Sequence, residues 1–151
     1  MVIVLGEELG RFRDASKTLY KYLEAFTWSG KVERLGFDEV FMDVTDIVDY
    51  NSALLNTNDL HHSFFQLNQT DPTIGFEFDA SSIAPHGYPS EVAVLDSSVT
   101  PSHNTNDLLT TRLILGSYFA HHLRMSLEEE KGYTATVGIS TSKLLRYALF
   151  P

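Results

Sequence analysis

Cysteine is absent from all 151 residues, which excludes disulfide scaffolds, thiol nucleophiles and cysteine-ligated zinc. No apolar run reaches the ~18 to 20 residues that a membrane helix needs. The first residues, MVIVL followed by Gly6-Glu7-Glu8, are too short and too acidic a start for a secretory signal. Both features lead to the expectation of an intracellular protein with no membrane partner. Basic side chains are scarce: 11 Lys and Arg stand against 20 Asp and Glu, a formal net charge of −9. Phosphate contacts need clustered Lys and Arg, so this balance argues against a free-standing nucleic-acid-binding module. What the chain does have is core-building material. With 43% hydrophobic and 12% aromatic residues it can bury a sizeable interior, about 68 to 70% of the unfolded surface at this length.

The scarcity of cations is uneven. Residues 1–50 carry 6 basic and 10 acidic side chains, residues 51–106 carry none and 6, and residues 107–151 carry 5 and 4. The middle stretch also holds four of the five prolines and many Asn, Ser, Thr and Asp, the composition of a long loop or insertion. Since 56 structureless residues inside one compact domain are improbable, parts of it should be ordered. Residues 74–78 (IGFEF) and 91–95 (EVAVL) read as short strands.

The flanks are more regular. Residues 2–5 form a β-branched run, and Leu9, Phe12, Ala15, Leu19, Tyr22, Leu23 and Phe26 then recur at helical spacing. Residues 31–35 and 40–44 read as a hairpin around Gly36-Phe37-Asp38-Glu39. A second helix is expected from about residues 104–107, with Thr105 or Asn106 as its cap, to Glu128-Glu129-Glu130 before Gly132. Its apolar face would comprise Leu109, Leu113, Gly116, Ala120, Leu123 and Leu127, with the small residues allowing close approach to a sheet. Residues 134–139 (TATVGI) read as a strand and residues 142–150 as the start of a helix. The expected class is therefore α+β, a small and mostly antiparallel sheet with two helices on one face, similar to a ferredoxin-like layer lacking one strand.

The hairpin carries the chemistry. Adjacent carboxylates beside a glycine, Asp38 and Glu39, offer oxygen ligands of the kind that hold Mg²⁺ together with substrate phosphates. As plain turn residues they would need no function at all. Alternation places Glu39, Phe41 and Asp43 on one strand face, and Asp38, Val40 and Met42 on the other if the strand extends that far back. Four steps of ~3.3 Å put Asp43 about 13 Å from Glu39, too far to share an ion, so Asp43 is expected to be structural.

Residues 32–45 (VERLGFDEVFMDVT) strongly resemble the palm hairpin of Y-family, translesion DNA polymerases, and the Gly36-Phe37 pair before Asp38-Glu39 resembles the iota-like branch of that family. The resemblance extends to residues 2–13 and 113–125, and to residues 133–145 (YTATVGISTSKLL), where the palm's last strand leads to the start of the thumb. It implies an incomplete, UmuC-like palm over residues 1–145, with a core at 1–50 and 107–145 and an insertion at 51–106; residues 146–151 would be a truncated thumb start or an aberrant tail. It further implies two-metal nucleotidyl transfer in DNA damage bypass and repair, with Asp38 and Glu39 as catalytic metal ligands, Mg²⁺ or Mn²⁺ as cofactor, primer–template DNA and dNTP as substrates, and a nuclear location if the source is eukaryotic. Ser142-Lys143 fits the family's signature at the start of the thumb while Arg146-Tyr147 departs from it, and Lys143 and Arg146 are the candidates for contacts to phosphate or DNA. The family's third metal carboxylate has no counterpart and would lie before Met1. The isolated chain is therefore expected to be inactive. Two alternatives stand beside this reading: a catalytically silent palm-derived remnant or interaction module, and a nucleotidyl-cyclase-like palm enzyme.

Other polar groups read as structural. His61-His62 and His121-His122 are adjacent pairs that do not share a helix face and lack the i, i+4 spacing of a zinc site. Glu128-Glu129-Glu130 is a solvated helix boundary. Ser140, Thr141 and Ser142 have no recognisable base and suit capping rather than nucleophilic catalysis.

Overall fold

The computed structural model describes residues 9–56, 58–83 and 105–142. Its elements are α1 (Gly10–Glu24), β1 (Val32–Leu35), β2 (Glu39–Met42), α2 (Thr45–Leu54), β3 (Ser63–Gln66), β4 (Gly75–Phe78), a short 3₁₀ turn (Ser81–Ile83) and α3 (Thr105–Lys131). The chain divides into two units, Met1–Asp46 and Ile47–Pro151. The α+β class is as expected, but the described strands form two separate two-stranded ladders, β1–β2 and β3–β4.

In the first unit, the apolar spacing read from the sequence does become a helix. Ala15, Leu19, Tyr22 and Leu23 on α1 are partly covered, and Tyr22 meets Phe26 one turn later edge-on, with ring centroids 5.2 Å apart. Beyond the helix, Thr27 closes the last turn by donating to the Glu24 carbonyl at 3.0 Å. Gly30 then reverses the chain at φ +65°, where a side chain would be strained. Tyr20 donates to the Val32 carbonyl at 3.2 Å and fastens α1 to β1.

The second unit is organised around Phe65, which is fully buried. Its ring stacks on Phe76 at 5.1 Å and on Phe119 of α3 at 5.6 Å, and meets Phe78 edge-on at 6.2 Å. Ile47 and Val48 from α2, and Ile114, Leu115, Leu123 and Leu127 from α3, complete the interior. One polar residue is built into it. The Asn51 side chain donates to the carbonyls of Ile47 at 2.9 Å and Gln66 at 3.0 Å, and accepts from the Gln66 N–H at 2.7 Å. It thereby satisfies the side of β3 that faces away from β4, at a place where unpaired backbone groups would be costly. At the surface of the same unit, Arg112 of α3 and Asp49 of α2 form a two-pronged ion pair, at 2.6 and 2.8 Å.

Two expectations need correction, and one helix was not foreseen. Residues 45–54 are helical, although their Asp, Asn and Ser content and the edge of the supposed insertion at residue 51 had concealed a helix. The Asn51 bonds show why: its polarity is spent inside the unit and not in a loop. Residues 134–139 form no strand among the described residues. Gly132 ends α3 at φ +70°, its N–H bonded to the Glu128 carbonyl at 2.9 Å, and the chain then runs back to lay Ile139 against Gly116, where an added Cβ would sit 3.3 Å from the Ile139 side chain. Val137 and Ile139 of TATVGI stay 40% and 37% exposed; alternation alone does not make a strand, which needs a ladder partner. The buried face of α3 also differs towards its N-terminus, where Ile114, Leu115 and Phe119 replace Leu109, which is 39% exposed. The 3₁₀ turn and β4 lie there, and Tyr118 donates to the Asp79 carbonyl at 2.6 Å. Within the span 51–106, residues 75–78 are the expected strand and residues 63–66 are a second one that pairs with it. Residues 2–5, 91–95 and 143–150 lie outside the described residues.

Two tests follow for the second unit. A Cβ at Gly75 would overlap the Phe65 carbonyl oxygen and the Phe64 ring, so Gly75→Ala should lose about 1 to 3 kcal/mol, the usual range for overpacking, read as a lower urea midpoint. His122 stacks on Phe76 at 4.2 Å, and burial, with His121 second, holds its pKa below the ordinary 6.5. Below pH 6.5 the unfolded chain therefore takes up that proton first. The stabilisation is complete above that pH and falls away below it. The urea midpoint should drop between pH 7 and 5, by less in His122→Phe than in the parent chain.

Candidate metal-binding turn

The site is made by the register of one hairpin. Val32 pairs with Met42, Glu33 with Phe41, Arg34 with Val40 and Leu35 with Glu39, leaving Gly36-Phe37-Asp38 as a three-residue connection. Gly36 sits at φ +73° with nothing within 4 Å of the place its Cβ would take. Its constraint is thus conformational and not spatial. Only glycine adopts this backbone freely, and a slip of one residue would move each β2 side chain to the opposite face.

This register puts Asp38 in the turn and Glu39 on the first position of β2, both exposed. Glu39 shares its face with Leu35, Glu33 and Phe41. Asp38 has no strand face, because the strand does not extend back to it as the alternation had allowed. The sequence reading marks Phe37 through the Gly36-Phe37 resemblance but gives it no role at the site. Its ring remains 41% exposed at the same tip, and an aromatic between a turn glycine and an acid was the available signal.

Asp43 is fully engaged elsewhere. Its carboxylate accepts from the Thr45 N–H at 3.1 Å and the Thr45 hydroxyl at 2.7 Å, and Lys31 Nζ lies 3.5 Å away. The Thr45 hydroxyl and then the Thr45 N–H hold its pKa below 3.8 against the opposing effect of burial, and Lys31 adds a lesser pull in the same direction. Its backbone N–H reaches the Lys31 carbonyl at 3.0 Å and prolongs the ladder. Asp43 therefore joins the end of the hairpin to the start of α2, the structural role expected of it.

Among the described residues no group of three or more His, Asp or Glu side chains could hold a metal ion. The turn supplies two adjacent, exposed carboxylates. That donor set fits a hard divalent cation which keeps most of its shell for water and phosphate oxygens, and it does not form an all-protein cage. Lys143 and Arg146 lie outside the described residues. The histidines are dispersed: His61 Nδ1 meets Asp79 at 3.2 Å, His62 Nδ1 meets Asp59 at 3.1 Å, and His122 lies on Phe76. Asp79 is held down to about 2, chiefly by the Ser81 hydroxyl and N–H and then by His61. The Ser140 hydroxyl donates to the Ser142 carbonyl at 2.8 Å, a local turn and not a nucleophile beside a base. No helix among the described residues is long and apolar enough to cross a membrane.

The sequence profile of the impB/mucB/samB family matches residues 1–146. Human DNA polymerase iota is 31% identical over 145 residues, covering 96% of this chain, and DNA polymerase iota of Drosophila melanogaster is 32% identical over the same length. DNA polymerase eta of Drosophila melanogaster is 25% identical over 150 residues. The chain spans about 16% of the length of these relatives.

The division of labour between the two acidic positions can be tested directly. Asp43→Ala should cost about 0.5 to 2 kcal/mol, the range for losing a helix-capping side chain, seen as a lower thermal midpoint. It should leave divalent-cation binding unchanged, which Mn²⁺ titration would check. The Asp43 contribution is present above pH 3.8 and is lost as pH falls through its lower folded value.

Proposed function

Because the chain belongs to the impB/mucB/samB family, we propose that it provides palm structure to a Y-family translesion DNA polymerase, and that Asp38 and Glu39 are the carboxylates through which it serves nucleotidyl transfer. The observation that carries this reading is the three-residue turn that leaves two successive acidic residues, both exposed, at the tip of a short hairpin. The palm would comprise residues 1–145, with the core at 1–50 and 107–145 and the insertion at 51–106, and residues 146–151 would lead toward the thumb. Its substrates would be primer–template DNA and a dNTP, its cofactor Mg²⁺ or Mn²⁺, and its place the nucleus.

In such a site a bound divalent cation supplies charge to the phosphates and lowers the pKa of the attacking hydroxyl. The protein's own contribution is positional. The β1–β2 register holds Glu39 at the strand end, Gly36 permits the turn that presents Asp38 beside it, and exposure leaves the remaining ligand positions to water and phosphate. Asp43 and Lys31 fix the other end of the hairpin without competing for the ion. Lys143, which fits the family's Ser-Lys signature, and Arg146, which departs from it, would be the candidates for contacts to phosphate or the DNA backbone. The described residues supply two carboxylates at this tip, and that observation also supports the second reading, a palm module that is silent by itself. With polymerases iota and eta as its relatives, the cyclase reading has no separate support.

Mn²⁺ titration by electron spin resonance tests the site. The 151-residue chain should bind Mn²⁺, more tightly with dATP present, and Asp38→Asn combined with Glu39→Gln should weaken binding at least 10-fold, about 1.4 kcal/mol or more. Equal binding by the variant would remove the metal assignment. In a primer-extension assay the same chain alone should add no nucleotide; template-dependent, Mg²⁺-requiring addition would show that two carboxylates suffice.

A further inference from the structure

The cations of the first unit are concentrated on one element. Arg11, Arg13, Lys17 and Lys21 lie on α1, against Asp14 and Glu24, so a helix of 15 residues is net positive in a chain of net charge −9. Arg13, Lys17 and Lys21 follow one another at i, i+4 and i+8. All three are exposed, on the side of the helix opposite the partly covered Ala15, Leu19 and Tyr22. The row is about 12 Å long at 1.5 Å per residue, with neighbours ~6 Å apart. Lys17 lies 3.9 Å from Asp14, but both side chains are mostly in water, at 60% and 79% exposure, and such a pair leaves the charge available. Phe12, next to Arg13, is 67% exposed.

From this placement we infer that the Arg13–Lys17–Lys21 row of α1 is a docking surface for the phosphate backbone of a DNA strand. A regular row of exposed cations on an otherwise acidic protein complements a regular polyanion, and it supplies three counterion-releasing contacts. The row is attached to the site, because Tyr20 on the same helix bonds to the Val32 carbonyl at the base of the strand leading to Asp38 and Glu39. DNA as the polyanion rests on the polymerase reading. The charge row itself does not, and neither does the measurement that tests it.

That measurement is fluorescence anisotropy of a labelled primer–template duplex with the whole 151-residue chain, in EDTA, over 25 to about 150 mM NaCl, a range in which backbone contacts are strongly salt-dependent. The parent chain should bind, with log K falling linearly in log[salt]. The variant Arg13→Gln, Lys17→Gln, Lys21→Gln should bind at least ~10-fold more weakly at the lowest salt, with a slope smaller by about 2.7, three contacts at 0.9 each. Arg124→Gln, an exposed cation of α3, should change the slope by less than ~1, the value for a single contact. No binding by the parent, or an unchanged slope in the folded triple variant, overturns the inference. The metal assignment is read separately, by Mn²⁺ titration of Asp38→Asn with Glu39→Gln, so failure of that assignment and failure of this surface are separately visible.

Discussion

The three-residue connection at Gly36-Phe37-Asp38 is the constraint on which the proposed chemistry depends. Strand side chains alternate with a period of two, so the same residues in a register shifted by one would send Glu39 to the other face and alter what Asp38 stands beside. Gly36 at φ +73° fixes the count. The pairs from Val32–Met42 to Leu35–Glu39 follow from it, and Asp43 ties the far end through Thr45 and Lys31. The hairpin thus owes its geometry to the backbone, while the two acids at its tip are exposed.

The second unit solves a different problem with different means. Phe65 is surrounded by Phe76, Phe78 and Phe119, which gives the β3–β4 hairpin an apolar side large enough to hold it against α3. A two-stranded hairpin is marginal alone in water, and this aromatic packing supplies what it lacks. Asn51 then finishes the open edge of β3 from within, a polar side chain acting as a substitute for a third strand at Gln66. Its burial is tolerated because both ends of its amide are bonded.

Charge has a local meaning in this protein that the total conceals. The net −9 argues against nucleic acid only if the charges are spread evenly, and they are not. The span 51–106 contributes six acids and no bases, the hairpin tip contributes two acids in a row, and α1 holds four of the 11 cations. The two proposed roles, an acidic turn for a divalent cation and a basic helix for phosphates, are compatible demands of one polyanionic substrate, and both elements lie in the same unit, joined by Tyr20 and Val32.

Much of the site was legible in the sequence because its determinants are local. A glycine followed by an acidic pair between two short alternating runs specifies a hairpin, its turn and its exposed acids, and helical spacing specified α1 and most of α3. Strand rise alone also separates Asp43 from the pair. The remainder was settled by partners distant in the chain. Whether Asn51 belongs to a loop or a helix depends on Gln66, 15 residues away. Whether Leu109 or Ile114 faces inward on α3 depends on where β4 and the 3₁₀ turn lie. Whether TATVGI becomes a strand depends on a neighbour to pair with, and in its place the segment rests Ile139 on Gly116. Sequence alone determined the hairpin, its acids and the family, because periodicity and turn chemistry act between near neighbours. Tertiary structure decided burial, pairing and the fate of polar groups, because each requires a second surface that the local sequence does not contain.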